Sequence, residues 1–354
     1  MNDIPQKLDR LIEGVAMANG SDLHLAVNRV PAMRVATQLA NMVNETPLEE
    51  PEVLEMVRHM LKDDRKFQDF LNNQEIDFAY DFQGKARLRG NAFFQKGQVG
   101  IALRIIPKVK TLQELGLPDV LKDFARLKQG FFLIVGPVGQ GKSTTMASII
   151  DIINTERAEH IITIEEPIEY LFESKKSIID QREVGIDTKS FAAALKSAFR
   201  EDANVLMVGE MRSPDTISAA VTAAETGHLV VSTLHTNNAS QTIDRIIDSF
   251  PAEQQDQARS QLASCLVGIF SQRLIPRMNG GLIPAYELLI NNKAVSNLIR
   301  ENRTHEIDMV IETSSEQGMI DMNHSLVDLV RKGEITIDDA HFYAFNKKSL
   351  DSLL

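Results

Sequence analysis

The chain has 354 residues, 43% hydrophobic and 25% charged, with a formal net charge of −11. That length accommodates about two domains with separate cores, and the acidic balance disfavours a general nucleic-acid binder, which needs clustered Lys and Arg, while leaving room for a local basic channel. The single cysteine, Cys265, rules out an internal disulfide framework and a multi-cysteine zinc site.

In chain order, Ile4, Leu8, Leu11, Ile12, Val15 and Ala16 recur at helical spacing, and Gly20-Ser21-Asp22 ends that helix. The alternation from Leu23 to Val27 predicts a strand, and a second helix is expected from about Pro51 to Lys62. EIDFAYDF (75–82), ARLRGNAFFQ (86–95) and VGIALRIIP (99–107) read as three strands joined by turns at Gly84 and Gly97. Helices followed by a strand meander give a small α+β domain over residues 1–110. LGLPDVLKDFARL (115–127) reads as a helix. Beyond it, the apolar segments FFLIVG (131–136), HIITIE (160–165), NVLMVGE (204–210) and HLVVSTL (228–234) alternate with helical stretches. Uniformly apolar strands spaced by helices fit a parallel sheet covered on both faces, so residues 111–354 form an α/β domain. From about Asn238 the pattern turns mostly helical, with one strand at PAYELLI (284–290). No apolar run reaches the roughly 18 residues of a membrane span, and the N-terminal MNDIPQKLDRLIEG has no secretory apolar block. A cytoplasmic protein without direct membrane insertion is expected.

GPVGQGKS, from Gly136 to Ser143, satisfies G-x-x-x-x-G-K-[ST] between an apolar strand and a helix opening at about Lys142. The run Gly136, Pro137, Val138, Gly139, Gln140, Gly141, Lys142, Ser143 and Thr144 is the candidate ATP-binding loop. Its glycines let backbone N–H groups face the β-phosphate, and the helix N-terminus adds a dipole that favours anions. Lys142 would reach the β- and γ-phosphates, Ser143 would ligate Mg²⁺ and Thr144 could contact the α-phosphate.

Glu210 ends NVLMVGE at the C-terminal tip of a buried strand, facing the crevice where parallel sheets bind ligands. Its expected role is to hold Mg²⁺ through a water; a solvated strand-end acid is the plainer alternative. Glu165 and Glu166 end another strand before Pro167, where a carboxylate could orient or deprotonate the attacking water. His235 closes HLVVSTLH and could sense the γ-phosphate, or serve as a structural hydrogen-bonding group; for His228, at the other end, the structural role is favoured. Seven residues apart on a strand, the two histidines cannot share a metal. Arg87, Arg89 and Arg104 lie on first-domain strands and would contact phosphate only if that domain closes over a nucleotide.

An ordered series runs through SDLHL (21–25), the phosphate loop, TIEEPIEY (163–170), QREVG (181–185), FREDANVLMVGEMR (199–212), TAAETGHLVVSTLHT (222–236), TIDRIIDSFPAE (242–253) and NLIREN (297–302). Together these segments resemble the secretion-ATPase superfamily and, within it, the twitching-motility PilT family. It implies an N-terminal PAS-like domain and a C-terminal RecA-like ATPase domain with a helical C-terminal part, assembled as a homo-hexamer. It places the catalytic glutamate on Glu165, with Glu166 where the family has Asp. It also puts the Walker B glutamate on Glu210, the His-box histidines on His228 and His235, and γ-phosphate-approaching arginines on Arg89 and Arg104. The implied function is a motor that retracts type IV pili, acting on an inner-membrane platform protein from the cytoplasmic base of the pilus machinery. Assembly and secretion relatives carry an extra N-terminal domain and a four-cysteine zinc insertion, which this length and one cysteine do not provide. The family's AIRNLIRE segment reads Ala294-Val-Ser-Asn-Leu-Ile-Arg-Glu301 here, differing at Val295 and Ser296. Rival readings are a pilus-assembly or type II secretion ATPase, a DNA-acting RecA-like motor, and a ring that binds nucleotide without hydrolysing it.

Overall fold

A computed structural model of the chain describes residues 4–35, 38–84 and 86–354. Two compact units are present, Met1–Lys108 and Val109–Leu354.

The first unit opens on α1 (Ile4–Met17), whose Leu8, Leu11, Ile12 and Val15 form one buried stripe. Then come β1 (Asp22–Ala26), β2 (Ala32–Val35), β3 (Gln38–Asn41), α2 (Glu50–Leu61) and α3 (Asp64–Asn73). A reciprocal capping box between Glu49 and Glu52 starts α2, and the Asp63 carboxylate caps α3. β4 (Glu75–Phe82), β5 (Ala86–Gln95) and β6 (Gln98–Ile105) complete an antiparallel sheet ordered β3-β2-β1-β6-β5-β4. Two short strands and one helix are added to the pattern expected from sequence. β3 is exposed throughout and α3 buries Phe70 alone, so neither carries the apolar periodicity that announces an element.

The second unit starts with α4 (Leu121–Ala125), shorter than the helix expected over 115–127 because Gly116 is left-handed and Pro118 lies just ahead. The chain continues through β7 (Gly130–Val135), α5 (Lys142–Glu156), β8 (His160–Glu165), β9 (Ile178–Glu183), α6 (Phe191–Ala198), β10 (Val205–Val208), α7 (Pro214–Glu225) and β11 (Leu229–Leu234). After α8 (Ala239–Ile247) and α9 (Gln255–Cys265) comes a hairpin of β12 (Leu266–Pro276) and β13 (Leu282–Ile290). Five helices end the chain: α10 (Lys293–Arg300), α11 (Ile307–Thr313), α12 (Met322–Arg331), α13 (Ile337–Tyr343) and α14 (Lys347–Leu353).

The seven-stranded sheet runs β13-β12-β7-β11-β10-β8-β9, parallel except for β13. Successive β7 residues feed opposite cores: Phe131, Leu133 and Val135 pack with Leu206, Ala220 and Ile243, while Phe132 and Ile134 pack with Ile149, Met207 and Phe270. The sequence reading is corrected beyond Asn238, where two long strands stand rather than one, and β9 was not foreseen. In β12 the apolar run is interrupted by Ser271, Gln272 and Arg273, all buried, which masks its strand character. Among the described residues no helix is long and apolar enough to cross a membrane.

Candidate active site

β7 delivers the chain to the phosphate loop at the C-terminal edge of the parallel sheet, and α5 carries it away. Gly136 has φ +149°, and a Cβ there would lie 2.5 Å from the Gln272 carbonyl oxygen, so only glycine fits. Gly141, the N-cap of α5, has φ +77°. The crest of the loop is held from β12: Gln272 Nε2 donates to the Gln140 carbonyl at 2.7 Å, and the Leu274 N–H donates to Gln140 Oε1 at 2.6 Å. The other end of Gln272 accepts from Thr145 Oγ1 at 2.7 Å, tying the same side chain to the first turn of α5.

A cavity of about 580 Å³ lies over this loop, lined among others by Lys142, Ser143, Glu165, Glu210 and His235. Lys142 Nζ donates to the carbonyl oxygens of Gly136 and Pro137, both at 2.8 Å, and approaches His235 Nδ1 at 3.2 Å. An ammonium can only donate, so Nδ1 is the bare imidazole nitrogen and Nε2 carries the hydrogen toward Glu210 Oε2, 3.4 Å away. Arg212 pairs with the other Glu210 oxygen. Burial pulls the Lys142 pKa down to about 8, with Glu210 opposing and Arg273 adding to the fall. The Thr144 hydroxyl meets the Tyr170 hydroxyl at 2.8 Å.

Glu165 ends β8 and is 3% exposed. Its Oε1 accepts from Thr163 Oγ1 at 2.7 Å and Gln181 Nε2 at 3.1 Å, and its Oε2 accepts from the Glu169 N–H at 3.3 Å. Burial raises its pKa to about 6 in spite of these donors, and the charge of Glu169 adds to the rise. A carboxylate poised in that range suits proton abstraction from water near neutral pH.

The chain matches the description "Type II/IV secretion system protein" over residues 2–282. It belongs to the type II/IV secretion system protein family. It is 42% identical to the type IV pilus retractation ATPase PilT of Pseudomonas aeruginosa, across 94% of this chain and 96% of that protein. It is 43% identical to the twitching motility protein of Neisseria gonorrhoeae, across 90% and 86%. The crystal structure of the pilus retraction motor PilT with bound ADP superposes with a TM-score of 0.91 at 43% identity, covering 98% of this chain and 99% of that one.

In this secretion-family ATPase the fold brings the loop residues Val138 to Thr144 together with Glu165, Glu210 and His235 at one cavity, although they are spread over about a hundred residues of sequence. Glu210 stands two residues past β10 and His235 one past β11, rather than within the strands. His228, at the far end of β11, bonds the Ala223 carbonyl through Nδ1 at 3.0 Å and packs edge-on against Phe199. Arg89 and Arg104 are cross-strand partners in the first unit. Arg104 is anchored to Asp22 at 2.8 Å, whose carboxyl its partners hold below the usual range despite burial, while Arg89 is exposed with no ion pair among the described residues. Ser296, where AIRNLIRE has Arg, turns inward and donates to the Ala263 carbonyl at 3.0 Å. Sequence reasoning missed Gln272, Tyr170 and Gln181. The buried polar triplet inside β12 was the available signal for the first.

Proposed function

We propose that this chain is the repeating subunit of a hexameric motor that hydrolyses ATP to retract type IV pili. The observation that carries the reading is the convergence of an intact phosphate loop with Glu165, Glu210 and His235 on one cavity, in a chain whose PilT relative matches 94% of its length.

Lys142 leaves the Gly136 and Pro137 carbonyls for the β- and γ-phosphate oxygens, an exchange favoured because the buried ammonium gains anionic partners. Loop N–H groups from Gly139 to Thr144 and the α5 N-terminus receive the remaining phosphate charge. Glu165 takes a proton from the attacking water as the water oxygen bonds to the γ-phosphorus. The bond to the β–γ bridging oxygen then breaks, leaving ADP and phosphate. His235, already between Lys142 and Glu210, is placed to exchange those contacts for the γ-phosphate. Arg89 and Arg104 are the proposed cations that reach the γ-phosphate when first-unit strands close over a nucleotide.

Among the described residues no trio of carboxylate, imidazole or thiol groups is positioned to hold a metal by itself. The Ser143 hydroxyl and the Glu210 carboxylate, both at the cavity and both oxygen donors, would hold Mg²⁺. When bound, the ion neutralises phosphate charge. The working partners are an inner-membrane platform protein and the pilus machinery, engaged from the cytoplasmic side.

Glu210→Gln and Lys142→Ala should lower phosphate release by ~10³-fold or more. Near-normal turnover in either would overturn the site assignment. Deleting the gene should raise the surface pilus count and abolish twitching, rescued by wild type and not by Lys142→Ala. Bald cells would instead identify an assembly motor.

A further inference from the structure

We propose that Gln181, on β9, is the positioning residue that orients the water-activating Glu165 and couples it to the phosphate loop. This rests on the reading of Glu165 given above. Thr163 and Gln181 are register partners on neighbouring parallel strands, and Thr163 and Glu165 project from the same face of β8 two residues apart. Pairing β8 with β9 therefore delivers both donors to one carboxylate oxygen.

The Gln181 amide has one permitted orientation. Its Oε1 accepts from the Phe172 N–H at 3.0 Å, and its Nε2 donates to the Tyr170 carbonyl at 2.8 Å as well as to Glu165 Oε1 at 3.1 Å. A flipped amide would set its oxygen against two acceptors and its NH₂ against a donor. For Glu165 the result is an asymmetric carboxylate. Oε1 is occupied by Thr163 and Gln181, whereas among the described residues Oε2 accepts only the long 3.3 Å bond from the Glu169 N–H. Oε2 keeps the freer lone pair and is the oxygen that takes the proton from water.

The same amide pins the segment after Pro167 through Tyr170 and Phe172, and the Tyr170 hydroxyl reaches Thr144 Oγ1 on the phosphate loop at 2.8 Å. Base and loop are thus fixed to each other through two side chains, Gln181 and Tyr170. Gln181 is absent from the cavity lining, so its influence on the reaction runs through Glu165 and, by way of Tyr170, through the loop. The charged groups around Glu165 are Glu166, Glu169 and its β9 partner Glu183, with Lys142, Glu210, Arg212 and His235 also at the cavity. None of these is altered by substituting Gln181.

The test is phosphate release by the full-length assembled protein carrying Gln181→Leu or Gln181→Glu, measured across pH, with Glu165→Gln in parallel. Both Gln181 variants should lose about 10-fold or more in kcat while KM for ATP stays within about 2-fold. The acidic limb of kcat/KM should move to higher pH in both, further for Gln181→Glu, because a lost donor and an added like charge each disfavour ionised Glu165. Should Gln181→Leu fail to fold by thermal melting, the isosteric Gln181→Glu carries the test. An inactive Glu165→Gln alongside Gln181 variants with wild-type kcat and an unmoved limb overturns the positioning role alone. A raised KM with unchanged kcat overturns it too, since Gln181 would then merely prop the binding loop. Near-normal turnover in Glu165→Gln removes the premise instead.

Discussion

Replacing Gln272 by Leu isolates what the β12 strand contributes to the phosphate loop. The side chain is 3% exposed and its amide makes two 2.7 Å bonds, accepting from Thr145 Oγ1 and donating to the Gln140 carbonyl. Leu fills a similar volume and makes neither. Each buried polar group left without a partner costs roughly 1–3 kcal/mol. Thr145 is 1% exposed and bears the full penalty, whereas Gln140 is only half-buried and recovers part of its loss from water. The expected destabilisation is about 2–4 kcal/mol, read as a lower urea midpoint for the transition of the second unit. Releasing the loop crest should also weaken ATP binding by about 10-fold, the equivalent of about 1.4 kcal/mol. The control is Thr145→Val. Because the double variant no longer buries an orphan hydroxyl, its loss should fall short of the sum of the singles by about 1 kcal/mol or more. Additivity to within about 0.5 kcal/mol, or unchanged ATP affinity in Gln272→Leu, would refute the tether.

Two other predictions follow from buried ionisable groups. Burial holds the Lys142 pKa at about 8, below its ordinary 10.5, and the phosphates of bound ATP should raise it again. ATP binding at about pH 9 should therefore take up protons, seen as calorimetric heats that depend on buffer ionisation enthalpy; equal heats in all buffers would contradict this. Glu287, in β13, is pushed by burial from 4.5 up to about 7, while accepting from the Ala239 N–H at 2.8 Å and Ser271 Oγ at 3.1 Å. For an acid raised on folding, the native state binds more protons than the unfolded one between those values, so this group's stability contribution is full below 4.5 and is lost as pH rises through about 7. Glu287→Gln keeps an acceptor and should flatten that dependence, leaving the variant as stable as wild type or more so above neutral pH. Marked destabilisation there would show that the charged form is needed.

Much of this protein is written locally. The phosphate loop is contiguous, and its glycines, lysine and hydroxyls announce their chemistry wherever a strand meets a helix. Glu210 and the pair Glu165-Glu166 were legible as strand-end acids because apolar runs in a parallel sheet end at the ligand crevice, whereas the choice of Glu165 within the pair came from the family resemblance. The α1 stripe and the β4–β6 meander were legible for the same reason: periods of 3.6 and 2 are short-range properties.

What the sequence could not state is which distant groups satisfy one another. Ser271, Gln272 and Arg273 look out of place in a buried strand until packing supplies Glu287, Gln140, Thr145 and Asn237 as partners. Pairing β8 with β9 decides that Gln181 faces Glu165, and the place of β11 between β7 and β10 decides that His235 stands between Lys142 and Glu210. Residue type and period, then, fixed where the chemistry-bearing groups lie along the chain. Only the tertiary structure selected their partners, because desolvation makes a buried donor or acceptor expensive until the fold brings its complement within 3 Å or so.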